Sequence, residues 1–322
     1  MAQMPQLGDI NFYGLHKVSA EKILSTINVR PGGPLPPSKG DLEDEIAKIP
    51  GVVAVEVQAV CCEGSATDLF IGIEERSEAH ASFRSPPGGS ASLPQDLLDS
   101  YHDFLGAVMR AAVNGKADED LTAGHALMAD PLVRGFQSYF LAFAADHVPL
   151  LREVLRNGSV ADERAAAATI IGYAPNKGDV VNDLQYALQD PDDAVRTNAT
   201  RALAAIAVMA QKKPDPAIRI SPTWFVEMLN SVVLSDRVES TKALLILTEG
   251  GNQAALDLIR ERALPALVEM SQWKTLRYAL PPFLLLGRVA GLTDDQVHQS
   301  WEKGDRRTVI ERAQASAKKR AG

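Results

Sequence analysis

The stretch Asp190-Pro191-Asp192-Asp193-Ala194-Val195-Arg196, with what repeats around it, constrains this chain more than any other feature. An acidic turn containing a proline feeds a run in which Val195, Ala199, Ala202, Leu203, Ile206 and Met209 recur at spacings of three and four. That spacing predicts one apolar face of an amphipathic helix. Pro191 suits the first helical turn, where its missing N–H has no partner to lose, and the acids beside it meet the positive helix start. Lys212, Lys213 and Pro214 close the run. One unit back, Ala161-Asp162-Glu163-Arg164 opens an alanine-rich helix that ends at Gly172-Tyr173-Ala174-Pro175, and a second helix is expected over Asp179 to Leu188. One unit on, Ser235-Asp236-Arg237-Val238 opens another, and Thr275 to Val289 reads as a degenerate copy. Asp162 and Asp193 lie 31 positions apart, Asp193 and Asp236 43, the longer interval carrying an insertion from Gln211 to Ile220. Helix pairs recurring at roughly 30–45 residues predict an α-solenoid, in which each pair buries its apolar face only against its neighbours.

These residues resemble a HEAT repeat of the short bacterial type. The likeness is strongest over Asp190 to Leu203, partial over Asp162 to Leu188, and weaker from Asp236 onward, where Arg237-Val238 reverses the usual Val-Arg order. The resemblance implies that charged turn residues such as Asp193 and Arg196 hold the repeat together and are not ligand contacts. HEAT-like repeats are expected over 158–317, preceded by a helical segment at 94–157.

The first 76 residues follow a different rule. Ile10 to Tyr13 reads as a strand and Gly14 as a turn. Ser19 can cap a helix with Ala20, Ile23, Leu24 and Ile27 on one face. A loop rich in proline and glycine, Arg30 to Ser38, leads to a second helix, Asp41 to Ile49, which Pro50-Gly51 breaks. Val53, Val55, Val57 and Ala59 then alternate with Ala54, Glu56 and Gln58, and Leu69, Ile71 and Ile73 alternate likewise, as half-buried strands do. The order is βααββ. With Ile10-Asn11-Phe12-Tyr13-Gly14, Val18-Ser19, Ile49-Pro50-Gly51-Val52 and Leu69 to Glu75, it resembles a POTRA domain over residues 8–76. That resemblance implies a place outside the cytoplasmic membrane and the capture of extended peptides at an open sheet edge. Such domains usually accompany a membrane barrel or anchor, whereas the following residues here read as soluble helices, so a role in outer-membrane assembly does not carry over with the fold. The fold class expected for the whole chain is therefore an α+β first domain followed by an all-α helical-repeat solenoid.

Between the two lies a segment rich in Ser, Ala, Gly and Pro, 77–93, expected to be a linker or hairpin tip, with His80 to Arg84 as a further edge strand. Helices are expected over Pro94 to Val113, over Asp118 to Asp130, and from Pro131 to Arg156, the last kinked or restarted at Pro149. Toward the end, Ile259 to Met270, Leu276 to Val289 and Thr308 to Ala317 read as helices, with a kink at Pro281-Pro282. The helix after Pro131 carries Phe136, Tyr139, Phe140, Phe143 and His147 on one face. Such a stripe is core packing far more often than a ligand pocket.

No catalytic signature is assembled. No two of the six histidines have the i, i+4 spacing of a helical zinc site, and there is no Gly-x-Ser-x-Gly elbow. Pro31-Gly32-Gly33 lacks the Lys-Ser/Thr of a phosphate loop. His125, near Asp118, Glu119 and Asp120, is the most site-like histidine but has no assignable nucleophile or partner. Cys61 and Cys62, the two cysteines, point to opposite faces of a strand and are expected as free thiols, with a vicinal disulfide as the alternative. No cofactor and no metal is expected.

A net charge of −8 speaks against general nucleic-acid binding, which rests on phosphate neutralisation. Charge is uneven. Residues 302–322 hold seven Lys/Arg and three Asp/Glu, and residues 1–93 hold seven and twelve. The start, Met1-Ala2-Gln3, has no basic or apolar leader. Two readings stay open: a cytoplasmic protein, or a periplasmic or secreted one whose signal peptide was removed before Ala2. The expected role is a non-enzymatic scaffold that binds a protein partner or an extended segment, with a chaperone for secreted or outer-membrane proteins and a small-molecule-binding or lyase-like HEAT protein as alternatives.

Overall fold

A computed structural model describes residues 6–63 and 66–321. In chain order the elements are β1 (Gln6–Tyr13), α1 (Ala20–Ile27), α2 (Lys39–Ala47), β2 (Val52–Glu63), β3 (Ala66–Glu75), α3 (Gln95–Val113), β4 (Glu119–Asp120), β5 (Leu127–Met128), α4 (Pro131–Asn157), α5 (Ala161–Ile171), α6 (Val181–Ala187), α7 (Asp193–Lys212), α8 (Thr223–Met228), α9 (Leu234–Thr248), α10 (Gln253–Arg262), α11 (Leu264–Ser271), α12 (Leu276–Val289), α13 (Asp294–Glu302) and α14 (Arg306–Ala321). Helix dominates, after a small sheet at the start. No helix among the described residues is long and apolar enough to cross a membrane.

Compactness divides the chain differently from its order. One unit joins Met1–Ala81 to Val226–Gly322, and the other is Ser82–Phe225. The sheet and the last helices of the array therefore form one body, where the sequence suggests a first domain tethered by residues 77–93.

In the first unit the sheet order is β1-β3-β2, with β1 parallel and β2 antiparallel to β3. Ser19 caps α1 by accepting from the Lys22 N–H, and Ser38 caps α2 by accepting from the Asp41 N–H. Ile23, Ile46, Val57, Leu69 and Ile71 meet in one apolar core, so both helices cover the same sheet face. The opposite face is covered too. Phe70 is fully buried and packs edge-on against Trp273 (centroids 5.1 Å apart) and Tyr278 (5.2 Å). Gly72 belongs to this face because a Cβ there would sit 2.4 Å from the Tyr13 ring. The turn between α11 and α12 is stitched to the strands by a polar chain. The Asn11 amide donates to Thr275 Oγ1 (2.8 Å), the Thr275 hydroxyl donates to Asp68 Oδ2 (2.7 Å), and the Trp273 indole donates to the Phe12 carbonyl (3.0 Å). β3 is thus sandwiched on both faces, where alternation of Leu69, Ile71 and Ile73 suggests a half-exposed strand.

In the second unit, buried arginines and the turns they brace repeat. Arg164 donates Nη1 to the carbonyls of Gly158 and Ser159, and Arg196 donates Nη1 to those of Asp190 and Pro191. Each reaches back five and six residues to hold the turn before its own helix. In the first unit Arg237 does the same to Ser231 through Nε, despite its reversed neighbour order. Asp190, itself buried, grips Arg164 with both oxygens (2.8 and 2.9 Å) and accepts the Asp192 N–H (3.0 Å). One repeat's arginine is thereby fastened to the next repeat's turn. Asp183 performs a similar service between α6 and α4, taking Arg152 Nε and Arg156 Nε at 2.7 Å each.

Several expectations are corrected. Asp118 to Asp130 is a β4–β5 hairpin, not a helix. Gly124 at φ +78° turns the chain, Asp120 takes the Thr122 N–H, and buried Gln137 accepts the Met128 N–H. Pro191 stands just outside α7, whose cap is Asp192, accepting from Val195 N. The helix expected over Ile259 to Met270 is two, broken at Ala263 (φ −137°) ahead of Pro265. The kink of α4 falls at His147 (φ −124°, ψ 22°), two residues before Pro149. α12 continues through Pro281 and Pro282. Residues 80–84 form no strand. Within the second unit the expected linker is laid on the helices. Arg84 donates its N–H to the Gln189 carbonyl and stacks 3.3 Å from the Tyr186 ring centroid, and the Phe83 ring lies 3.7 Å below Arg196. Cys61 is disulfide-bonded, against the expectation of two free thiols, and the Cys62 side chain lies outside the described residues.

Candidate functional site

β1 is an edge strand, and what borders its outer side is the most site-like feature of the molecule. The loop at Gly32 and Gly33 covers the start of the edge, exchanging two backbone hydrogen bonds with Leu7 (2.8 and 2.9 Å). Beyond it the strand faces a groove of about 530 Å³ lined by Ile10, Phe12, Leu264, Pro265, Val268 and Trp273, with Asn11, Glu269, Gln272, Lys274 and Gln314 as its polar members. One wall is thus a strand edge and the other a helix, α11. An edge strand presents N–H and C=O groups that can pair with an incoming chain, although on β1 the Phe12 carbonyl already accepts from the Trp273 indole. Apolar side chains on both walls can take alternate side chains of such a chain.

At the Gly14 end a second cavity, of about 340 Å³, is lined by Gly14, His16, Glu74, Glu75, Glu78, Arg237, Arg262 and Glu269, among others. Gly14 adopts φ +76°, a left-handed turn that only glycine makes without strain. This turns the following N–H groups toward carboxylates. Glu75, 3% exposed, accepts from His16 N (2.8 Å), Lys17 N (2.9 Å) and Val18 N (3.0 Å). Burial raises its carboxyl, but the three N–H groups outweigh that and hold it below its ordinary value. Glu269 accepts from Gly14 N at 2.8 Å. Here burial wins, and its carboxyl lies above the ordinary value in spite of Arg237 and two backbone N–H groups.

The sign of the Glu269 effect follows by linkage. A carboxyl raised on folding holds more protons in the native than in the unfolded state. Its contribution is full below the unfolded pKa and is lost as pH rises through the raised value. Glu269→Gln is therefore expected to gain on the wild type in urea midpoint as pH is taken from acid to neutral. A constant offset between the two across that range would refute the assignment.

Neither His125 nor the aromatic stripe of α4, the site-like features of the sequence, lies in the groove or the cavity. His125 sits in the second unit with its Nδ1 3.3 Å from Lys177 Nζ and its ring 5.3 Å from that of Tyr173. Burial and the neighbouring Lys177 charge depress the imidazole to about 4, and burial lowers the Lys177 amine to about 8. Of its acidic neighbours, Glu119 is engaged by Arg201 (2.7 Å) and Asp120 by Thr122 N. The aromatic stripe divides. Phe140 is core, in contact with Phe104 (5.3 Å) and Tyr173 (5.9 Å). Phe136 and Phe143 are half-buried, Tyr139 is 37% exposed, and exposed His147 stacks on Phe143 at 4.2 Å. Asp192 and Arg196 serve the turn and its cap, as the resemblance implied, while Asp193 opens α7. Among the described residues no group of three or more His, Cys, Asp or Glu is placed to hold a metal ion.

Sequence reasoning passed over Trp273 and Glu269, and read Arg237 only as part of the repeat pattern. Two signals were present: the Arg237-Val238 inversion within the repeat pattern, and a Phe-x-Gly pair, Phe70 and Gly72, on the supposedly open face of β3. No curated protein matches the chain. The family described as HEAT repeats matches residues 148–221, from the second half of α4 through α5, α6 and α7, and such repeats are a protein-interaction scaffold kind of fold.

Proposed function

We propose that this protein is a non-enzymatic interaction scaffold that captures an extended segment of a partner by strand addition along β1. The observation that carries the reading is the juxtaposition of an edge strand and an apolar helix wall across one groove. Main-chain pairing would supply affinity, and the half-buried Phe12 and Val268 beside the edge would supply selectivity. The βααββ order, with both helices on one face of a three-stranded sheet, supports the POTRA-like reading of the first module. A place in the bacterial cell envelope belongs to the same proposal and rests on that likeness. The HEAT-type helices would present a second surface to the partner.

The test uses the full chain carrying a photo-crosslinking residue at Gln272, which lines the groove. Irradiation is expected to join it to an extended segment of a partner protein, and Val268→Arg, which puts a long charged side chain into the groove, is expected to abolish the adduct. Crosslinks that persist undiminished in the Val268→Arg protein would remove the groove from the account.

A further inference from the structure

The groove along β1 continues past Phe12. Two residues on, Gly14 opens the charged cavity, and Pro265 and Glu269 line both spaces. A segment paired with β1 would therefore deliver one of its ends, or the residue nearest it, into that cavity.

The cavity's chemistry selects what can arrive. Arg237 is 3% exposed, and its Nη1 is buried without a hydrogen-bond partner. The nearest ion-pair oxygen, Glu269 Oε2, is 3.6 Å away, too far for a hydrogen bond. An unmet guanidinium donor in a buried place favours any acceptor that reaches it. Around it, four carboxylates (Glu74, Glu75, Glu78 and Glu269) face two guanidiniums, Arg237 and Arg262. Arg262 is already held by Glu227 at 2.7 Å, and Glu75 is already filled by backbone N–H groups. Glu74 and Glu78 remain partly open, with side chains 23% and 27% exposed. Their ion-pair partners are His80 for Glu74, and His16 and the exposed Lys17 for Glu78. The site asks for a cation and a carbonyl acceptor side by side. A C-terminal carboxylate offers the acceptor but adds a fifth negative charge. An N-terminal residue offers both, because its ammonium and its first carbonyl flank a single Cα.

We infer that the cavity receives the free N-terminal amine of the segment that occupies the groove. The ammonium lies among Glu74, Glu78 and Glu269, and the first carbonyl accepts from Arg237 Nη1. With its N-terminus at Gly14 and its body at Phe12 and Ile10, the bound segment runs antiparallel to β1. The partner is then a protein with an exposed, extended amino terminus, apolar at alternate positions. This rests on the groove reading, and the experiment separates the two.

The probe is a mixed heptapeptide pool, apolar at alternate positions, prepared in three forms: free amine with amidated C-terminus, acetylated with amidated C-terminus, and acetylated with free carboxylate. Retention on the immobilised chain is read by mass spectrometry. The free-amine form is expected to be retained about tenfold more strongly than the acetylated amide, as suits loss of a charge-assisted hydrogen bond. The combined Glu74→Gln and Glu78→Gln variant is expected to shrink that ratio toward one. Equal retention of free and acetylated forms, with Val268→Arg abolishing both, overturns the amine site and leaves the groove standing. Preference for the free carboxylate also overturns it. Retention of no form overturns groove and amine site together.

Discussion

Asp190→Ala is expected to lower the unfolding free energy by about 3–5 kcal/mol, the cost typical of removing one partner from a buried ion pair. Asp190 and Arg164 are 1% and 2% exposed and joined by two short hydrogen bonds. Without the carboxylate, Arg164 keeps only its Nη1 bonds to the Gly158 and Ser159 carbonyls, and the rest of a buried guanidinium goes unmet. The Asp192 N–H, at the cap of α7, loses its acceptor as well. Asp190→Asn keeps the size and one acceptor and should fall between the two. The discriminating measurement is a double-mutant cycle in urea with Arg164→Leu, since removing both charges leaves no unpaired charge buried. The double variant should be more stable than the sum of the single losses. Strict additivity would mean that the pair does not couple neighbouring repeats.

Trp273→Ala should cost a similar amount, about 3–5 kcal/mol, as expected for truncating a buried aromatic whose site cannot fully collapse. Trp273 is 3% exposed and meets two rings of the sheet, Tyr13 at 5.8 Å and Phe70 at 5.1 Å. Its indole also ties α11–α12 to the β1 backbone through the Phe12 carbonyl. Trp273→Phe separates these contributions: most ring contact survives while the N–H is lost, for a smaller cost of about 1 kcal/mol. Chemical denaturation followed by circular dichroism gives the values. A hydrophobic dye should brighten on the native Trp273→Ala protein, because the Phe70 face loses its cover. An Ala variant as stable as the Phe variant would show that helix packing on this face does not depend on the indole.

Local structure was largely written in the sequence. The Ser19 cap, the alternation in β2 and the three–four spacing in α7 are short-range patterns, and each element formed where its pattern lies. The acidic turn before α7 likewise announced the arginine-braced repeat. What sequence could not convey was mostly the identity of the covering surface. β3 looks half-buried if Leu69, Ile71 and Ile73 alone are weighed; Phe70 and Gly72 acquire meaning only once Trp273, some two hundred positions away, is set against them. The 118–130 stretch has apolar residues at plausible helical positions, but a left-handed Gly124 and the Asp120 turn bond decided for a hairpin. Pro86-Pro87-Gly88-Gly89 signals freedom from regular structure, yet Gly89 N bonds the Asn157 carbonyl and buried Leu93 donates to Glu163. Composition identified the absence of helix and strand there and was silent on docking. The candidate site was the least legible part, because Gly14, Arg237 and Glu269 lie far apart in sequence and share no motif.

That the sheet finds its second cover in residues beyond Val226 has a consequence for biosynthesis. A ribosome adding about 5–20 residues per second needs roughly 7–30 s to travel from Ala81 to Val226. Throughout that interval Tyr13 and Phe70 have been synthesised and Trp273 has not. A nascent chain of this protein must therefore carry an aromatic surface awaiting its lid, and any message truncated upstream of α11 would release a product with that surface permanently bare.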